Sequence, residues 1–415
     1  MTTLRIGNIR TMLGVSFLQM LAFYSCVSAL FLQSRGLNFT EILALESFVA
    51  AGIFLFEIPS GVWADRFGRR RLLVVANALA VVGMAIFATG HHFLFFALES
   101  FLGGIGIACA SGADQALIYD SLQAEGREGE ARRVFGRLSA AGTVGHLVAY
   151  PIGGLLASYS LALPVYVTLI SSVLALLLVL QLEEPPRTPL EGPGDVEDAG
   201  GTTAQSSTGT WAASWQGLKD VLGRRRLLAF SLATGAVWTL YHNLYYLNQP
   251  VFARGGLPIV YFGLAAAAMS GSRLLALKVD SFAVRLGEGG VVRLMMGAVG
   301  AGFIALSFAR HWLPATLLMC MIFAAIALLE PIRADVRTRS LPSAERATLV
   351  SALSMLSSLV GLGMRLLIGR LTDYSLTAGL AGSGLIVLAA LVAASRARGQ
   401  EGTLAPVSRR VSAND

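Results

Sequence analysis

The chain has 415 residues, 55% of them hydrophobic and 14% charged, with a mean hydropathy of +0.65, and is too apolar for an ordinary water-soluble domain. Its formal charge of +7 would suit a nucleic-acid partner, but the arginines are scattered between apolar stretches, which argues against that class. Cys26, Cys109 and Cys320 lie inside apolar stretches without metal-ligand or disulfide spacing, so they read as small apolar fillers, and no metal or cofactor is expected.

Twelve apolar spans follow in order, over roughly 11–32, 41–60, 72–90, 93–119, 135–158, 162–182, 227–249, 259–279, 291–309, 312–332, 347–369 and 375–394. Each approaches the ~20 residues that cross a hydrocarbon core of ~30 Å. The first follows Arg5 and Arg10 as a signal peptide would, but it is too long for one and is retained as a membrane helix. Arginine collects in alternate connections. Arg66, Arg69, Arg70 and Arg71 lie in one; Arg127, Arg132 and Arg133 in the next of that set; then come Arg224, Arg225 and Arg226, Arg285 and Arg293, and Arg333, Arg337, Arg339 and Arg346. The positive-inside rule then puts both termini in the cytoplasm of a multi-pass protein of the plasma (bacterial inner) membrane.

Residues 183–226 form the expected cytoplasmic linker between a first bundle (1–182) and a second (227–395), with a tail over 396–415. Glu, Asp, Pro, Gly, Ser and Thr dominate 183–210, a composition that cannot bury a core. Trp211, Trp215, Leu218 and Leu222 sit at helical spacing, which fits a short surface helix or an early start to span seven. The halves repeat weakly. Ser34-Arg35-Gly36-Leu37 matches Arg254-Gly255-Gly256-Leu257 at an offset of about 220 residues, and Arg66-Phe67-Gly68 matches Arg285-Leu286-Gly287.

Between spans two and three lies Gly61-Val62-Trp63-Ala64-Asp65-Arg66-Phe67-Gly68-Arg69-Arg70-Arg71. With the twelve spans and the middle linker, it resembles the G-x-x-x-D-R-x-G-R-R loop of the major facilitator superfamily, and in particular its proton-coupled drug and metabolite efflux permeases. The resemblance covers essentially the whole chain. It implies an all-α membrane fold of twelve transmembrane helices in two pseudo-symmetric six-helix bundles that rock about a central site. It also implies a gating network of Gly61, Asp65, Arg66, Gly68, Arg69 and Arg70, with Asp120 at the family's acidic position ending the fourth helix. In span four the family's usual arginine is replaced by Ser100, beside Glu99, which departs from the usual coupling pattern. In span five, Gly142, Gly145, Pro151, Gly153 and Gly154 are imperfectly similar to the family's exporter signature.

Ionisable groups inside spans are costly, about 2.5–3.5 kcal/mol at mid-bilayer on insertion scales, and so point to function. Glu46, Glu99, Asp114, Glu330 and His146 are the candidates for taking up and releasing a proton. Trp238, Tyr241, His242, Asn243, Tyr245, Tyr246, Asn248 and Gln249 in span seven combine aromatic faces with hydrogen-bonding groups; an interfacial belt would account for Tyr245 and Tyr246 alone. The cavity candidates are Trp238, Tyr241, His242 and Asn243, joined by Gln19, Tyr24 and Ser25 from span one and by Arg273 and Arg365.

The expectation is a monomeric, lipid-embedded secondary transporter for a small organic solute, with protons as coupling ion and efflux as direction. Uptake of a metabolite or organic anion is the alternative, and a non-transporting receptor or assembly protein on the same fold is the alternative of another class. No Gly-x-x-x-x-Gly-Lys-Ser/Thr phosphate loop and no catalytic Ser/His/Asp set occurs, so an ATP-driven pump and an enzyme are not expected.

Overall fold

A computed structural model of the chain describes residues 5–185, 225–339 and 346–399. The expected surface helix around Trp211–Leu222 and most of the expected tail lie outside the described residues. Every element among them is helical: α1 (Arg5–Gln19), α2 (Ser28–Ser34), α3 (Phe39–Phe67), α4 (Arg69–Thr89), α5 (Phe93–Ala110), α6 (Ala113–Gln123), α7 (Ala131–Tyr159), α8 (Leu163–Val179), α9 (Arg225–Arg254), α10 (Phe262–Ser272), α11 (Val279–Phe308), α12 (Trp312–Arg339), α13 (Arg346–Tyr374) and α14 (Leu376–Gly399), with short 3₁₀ turns between some of them. Nine helical stretches among the described residues are long and apolar enough to cross a membrane. Reaching the twelve expected crossings requires counting the 17-residue α8 and the more polar α9 and α13 as well.

The first span is interrupted. α1 stops at Gln19, and a 3₁₀ turn over Phe23–Cys26 leads into α2. Backbone groups freed by the break are met by α8, where the Ser171 hydroxyl donates to Leu21 O at 3.2 Å and Thr168 Oγ1 accepts from Tyr24 N at 3.4 Å. That is how non-helical backbone is tolerated at membrane depth. A second break at Ser111 and Gly112 separates α5 from α6. Elsewhere the helices overshoot: α3, with 29 residues, is about 43 Å long at 1.5 Å per residue and exceeds the ~30 Å core.

The apolar pattern is turned inside out relative to a soluble bundle. On α8, Tyr166, Ile170, Val173, Leu174 and Leu177 form an exposed stripe at helical spacing. Such a stripe is stable only against hydrocarbon. The largest buried core is centred on the second half, where α9 presents Val237, Leu240, Leu244, Leu247 and Val251, and it runs on into Cys26, Val27, Leu43, Tyr150 and Ala157 of the first half.

The repeat seen in the sequence is also a repeat of conformation. Gly36 and Gly256 both adopt positive φ, 91° and 74°, and each is followed by a leucine whose N–H reaches back five residues. Leu37 N donates to Leu32 O at 3.2 Å, and Leu257 N donates to Phe252 O at 3.1 Å. These are matching left-handed helix C-caps that a side chain at the glycine would strain. Gly68 and Gly287 likewise share positive φ, 96° and 69°. A helical unit repeated in the two halves of the chain accounts for both coincidences.

Candidate functional site

The halves meet at the end of the molecule poor in arginine. There the Asp373 carboxylate, on the last turn of α13, sits against the start of α3. It accepts from Phe39 N at 2.6 Å, Thr40 N at 3.1 Å and the Thr40 hydroxyl at 2.6 Å. Unpaired N–H groups at a helix start, with the positive end of its dipole, make this a favourable place for a carboxylate. One turn earlier on α13, Gly369 lies so close to α3 that a Cβ there would meet the Thr40 backbone 3.0 Å from its nitrogen. On the other side of the same end, α7 and α10 touch through Gly154 and Gly263, where an added Cβ would collide with Val260 O and Tyr150 O. A third tie is Gln249 of α9, whose Oε1 accepts from Ala29 N at 2.7 Å and Leu30 N at 3.1 Å, while its Nε2 donates to Ser25 O at 3.3 Å and Ser28 Oγ at 3.2 Å.

Beneath this seal lies a cavity of about 620 Å³, walled by both halves. Four of the nine cavity candidates, Tyr24, Trp238, His242 and Arg365, line it, as do two of the five proton candidates, Glu46 and Glu99. Glu46 Oε1 accepts from the Tyr246 hydroxyl at 3.0 Å, an inter-half bond, and Glu99 Oε2 accepts from Ser100 Oγ at 3.2 Å. Trp238, Tyr241 and His242 pack on one another with centroids 5.0–5.5 Å apart, and His242 Nδ1 is 2.9 Å from Trp238 O.

The remaining candidates sit elsewhere. Gln19 donates to Asn77 Oδ1 at 3.0 Å, Ser25 is buried under Gln249, and Asn243 is fully buried away from the cavity wall. Arg273 stacks on Tyr241 at 5.4 Å and pairs with Glu330 at 3.3 Å, which ties two cavity candidates and one proton candidate to each other outside the cavity lining. His146 lies flat on Tyr150 with centroids 5.4 Å apart, and Asp114 sits in the first turn of α6. Lining residues that the pattern did not single out are Arg333, whose guanidinium stands 5.5 Å above the Trp238 ring, and Phe87, Thr239, Ser357 and Ser358. Arginine at a helix end reads as topology in a sequence, so Arg333 gave no distinguishing signal.

At the arginine-rich end, Arg69 pairs with Asp120 and donates to Ala116 O at 2.7 Å, which joins the loop motif to α6. Arg66 stands over Phe67 at 5.5 Å, and Gly61 borders open space. Asp65 lies two residues before the end of α3, at Phe67. The N-terminus of α4 is closed by Glu184, which accepts from Arg69 N and Arg70 N, both at 2.8 Å. A Cβ on Gly68 would lie 2.9 Å from that carboxylate, so the glycine gives Glu184 its room. Arg70 also donates to Leu180 O at 2.8 Å. Glu183 and Glu184, counted with the linker from composition, are therefore docked on the first bundle, Glu183 through backbone bonds of 3.0 Å to Asn8.

The family model described as Major Facilitator Superfamily matches residues 12–363. Multidrug resistance protein 1 of Bacillus subtilis strain 168 is 31% identical over 131 residues, 31% of this chain and 33% of that protein. Quinolone resistance protein NorA of Staphylococcus aureus is 24% identical over 161 residues, 39% of this chain and 40% of that protein, so the chain matches about a third to two fifths of the length of these relatives. Among solved structures, the nucleoside transporter NupG aligns with a TM-score of 0.73 at 16% identity, covering 94% of this chain and 98% of that one. A bacterial homolog to the human lysosomal transporter Spinster, in an inward-facing and unoccupied conformation, aligns with a TM-score of 0.65 at 17% identity, covering 96% of each chain. At these identities the structural likeness carries the fold alone.

Proposed function

Because the chain belongs to the major facilitator superfamily, and is thus a multi-pass membrane transporter and not an enzyme, we propose that it expels a small organic solute through a bacterial cytoplasmic membrane in exchange for protons. The observation that carries this reading is the cavity, walled by both halves and closed at one end, with Glu46 and Glu99 in its lining. An acid inside a solute cavity binds either a proton or a cationic group, and that competition is what couples two opposite fluxes. On this reading the arginine-rich loops lie in the cytoplasm and the sealed end outside, an inward-facing arrangement. The Asp373, Gly263 and Gln249 contacts then form the outer seal that must part for release.

At the inner face, the loop motif acts as the gate of the first bundle. Arg69 and Asp120 hold its shape, Asp65, Arg66 and Arg70 supply the charges that meet the second half when the cavity opens outward, and Glu184 fixes the start of α4. This supports a division into bundles over 1–182 and 227–395, with the intervening segment joining them.

Inverted membrane vesicles with an imposed pH gradient, scored for uptake of a panel of dyes and drugs, test the proposal. Flux that depends on the gradient, and that loses this dependence in Glu99→Gln, is the expected result. Flux that runs only down the solute gradient, unaltered in Glu99→Gln and Glu46→Gln, would overturn proton coupling. Accumulation in the opposite vesicle orientation would overturn the direction.

A further inference from the structure

We propose that the central cavity is built for an amphoteric aromatic solute, with a protonated amine and a carboxylate at opposite ends of an aromatic body. The inference rests on this cavity being the transport site.

The charges lining it are segregated by half. Glu46 on α3 and Glu99 on α5 belong to the first bundle, whereas Arg333 on α12 and Arg365 on α13 belong to the second. Two acids thus face two arginines, and among the described residues no ion pair within 4.0 Å joins them. The Arg365 Nε is buried without a hydrogen-bond partner. One turn earlier, an added Cβ at Gly361 would come within 2.9 Å of the Thr239 hydroxyl, so the glycine makes room for that cavity-lining group. Among the described residues, the other titratable groups facing this space are His242 and the tyrosines Tyr24, Tyr245 and Tyr246.

Glu46 lies within electrostatic reach of Arg365, and Glu330 within reach of Arg333, but neither carboxylate is in contact with its arginine. An arginine inside a membrane protein with no carboxylate in contact gains when a ligand supplies a contacting anion. A simple cation would engage the glutamates and leave the arginines without one, and a simple anion would do the reverse. A solute carrying both charges satisfies both walls. The aromatic rings in the lining, Phe87 and Tyr24 from the first half and Trp238 and Tyr245 from the second, suit a flat apolar body. A volume of about 620 Å³ lies within the ~300–1,000 Å³ typical of small-molecule sites.

The arrangement also supplies selectivity for transport. Only a ligand that grips both bundles gains from bringing them together, and a ligand shifts a conformational equilibrium only through its differential affinity for the two states. Loss of either charged end leaves a solute attached to one half.

Binding to the purified full chain in lipid nanodiscs tests this without any pH gradient or flux, so its failure is separable from failure of the efflux reading. The probes are 4′-(aminomethyl)biphenyl-4-carboxylate, its methyl ester, which is only a cation, and its N-acetyl derivative, which is only an anion. At least tenfold tighter binding of the amphoteric probe than of either derivative is expected. Arg365→Gln lowers its affinity to that of the ester, Arg365→Lys restores part of the difference, and Glu99→Gln lowers it to that of the N-acetyl compound. Thermal unfolding of each variant monitors folding, and the three probes on the unaltered protein stand as a test even where a variant fails to fold. Equal affinity for all three, equal affinity for the ester and the parent, or no binding of any would overturn the proposal.

Discussion

Replacing Asp373 by alanine removes the acceptor of three hydrogen bonds that hold α13 to the start of α3. The site is exposed, so the full ~1.5–3 kcal/mol of a charge-assisted hydrogen bond is not available for each. A helix N-terminal cap is worth about 1 kcal/mol. A carboxylate against the helix dipole contributes about 0.3–1 kcal/mol. Asn38 and Glu41 still form their own capping box in the variant, which limits the loss to the inter-half part. The sum is about 1–2 kcal/mol, a five- to thirty-fold change in a two-state ratio. Because the bonds exist only while this end is shut, that factor moves the population toward the state open there. Nitroxide labels at His92 and Arg310, exposed on connections of opposite halves, report the shift by electron–electron double resonance. A longer-distance population that grows severalfold in Asp373→Ala is expected. Distances identical to those of the parent would refute the assignment of Asp373 to the seal.

Gly263→Ala forces a methyl into Tyr150 O and should lower thermal stability in detergent, since overpacking of this kind costs about 1–3 kcal/mol; an unchanged melting curve would mean the α7–α10 contact is loose. Glu184→Ala uncaps α4 and should destabilise the protein by about 1 kcal/mol, whereas Glu183→Ala should be silent because its contacts are backbone. Equal effects of the two in the same melting assay would contradict the docking described for this segment. On the loop before α7, the Arg127 guanidinium holds the Glu130 carboxyl below its ordinary range through bonds of 2.8 and 2.9 Å. The small stabilisation from that pair is present above the carboxyl's unfolded value and fades as pH falls through the lowered one. Arg127→Gln should therefore flatten the acid side of the stability profile, and an unchanged profile would show the pair to be inert.

The parts of the fold legible in the sequence were those set by composition and by rigid local geometry. Apolar length marked the spans, arginine marked one set of loops, and glycines at 36, 68, 256 and 287 marked the repeat because their positive φ disfavours other residues. The helix breaks at Met20–Ala22 and Ser111–Gly112 were not legible, since no proline marks them and the freed backbone groups at the first are met from α8, distant in sequence. For the site, residue type pointed to span seven, but rotation about a helix axis decides which side chains reach the cavity. His242 lines it while Asn243, one residue on, is buried in the bundle. On helices that are apolar all round, that rotation leaves no periodic signal. The same rotation separates Arg273 and Glu330 from the cavity, whereas Arg333 was hidden among the arginines that mark the loops.

Alternating access about a seal at the arginine-poor end is tested most directly by locking that seal. In a chain whose Cys26, Cys109 and Cys320 are replaced by alanine, Thr40→Cys and Asp373→Cys place two thiols where side chains now touch. With the vesicle-panel solute that gives the highest flux, a short thiol-reactive cross-linker cleavable by reduction should stop transport, and reduction should restore it to the rate of the unlinked double variant. Transport by fully cross-linked protein at that same rate would contradict the account.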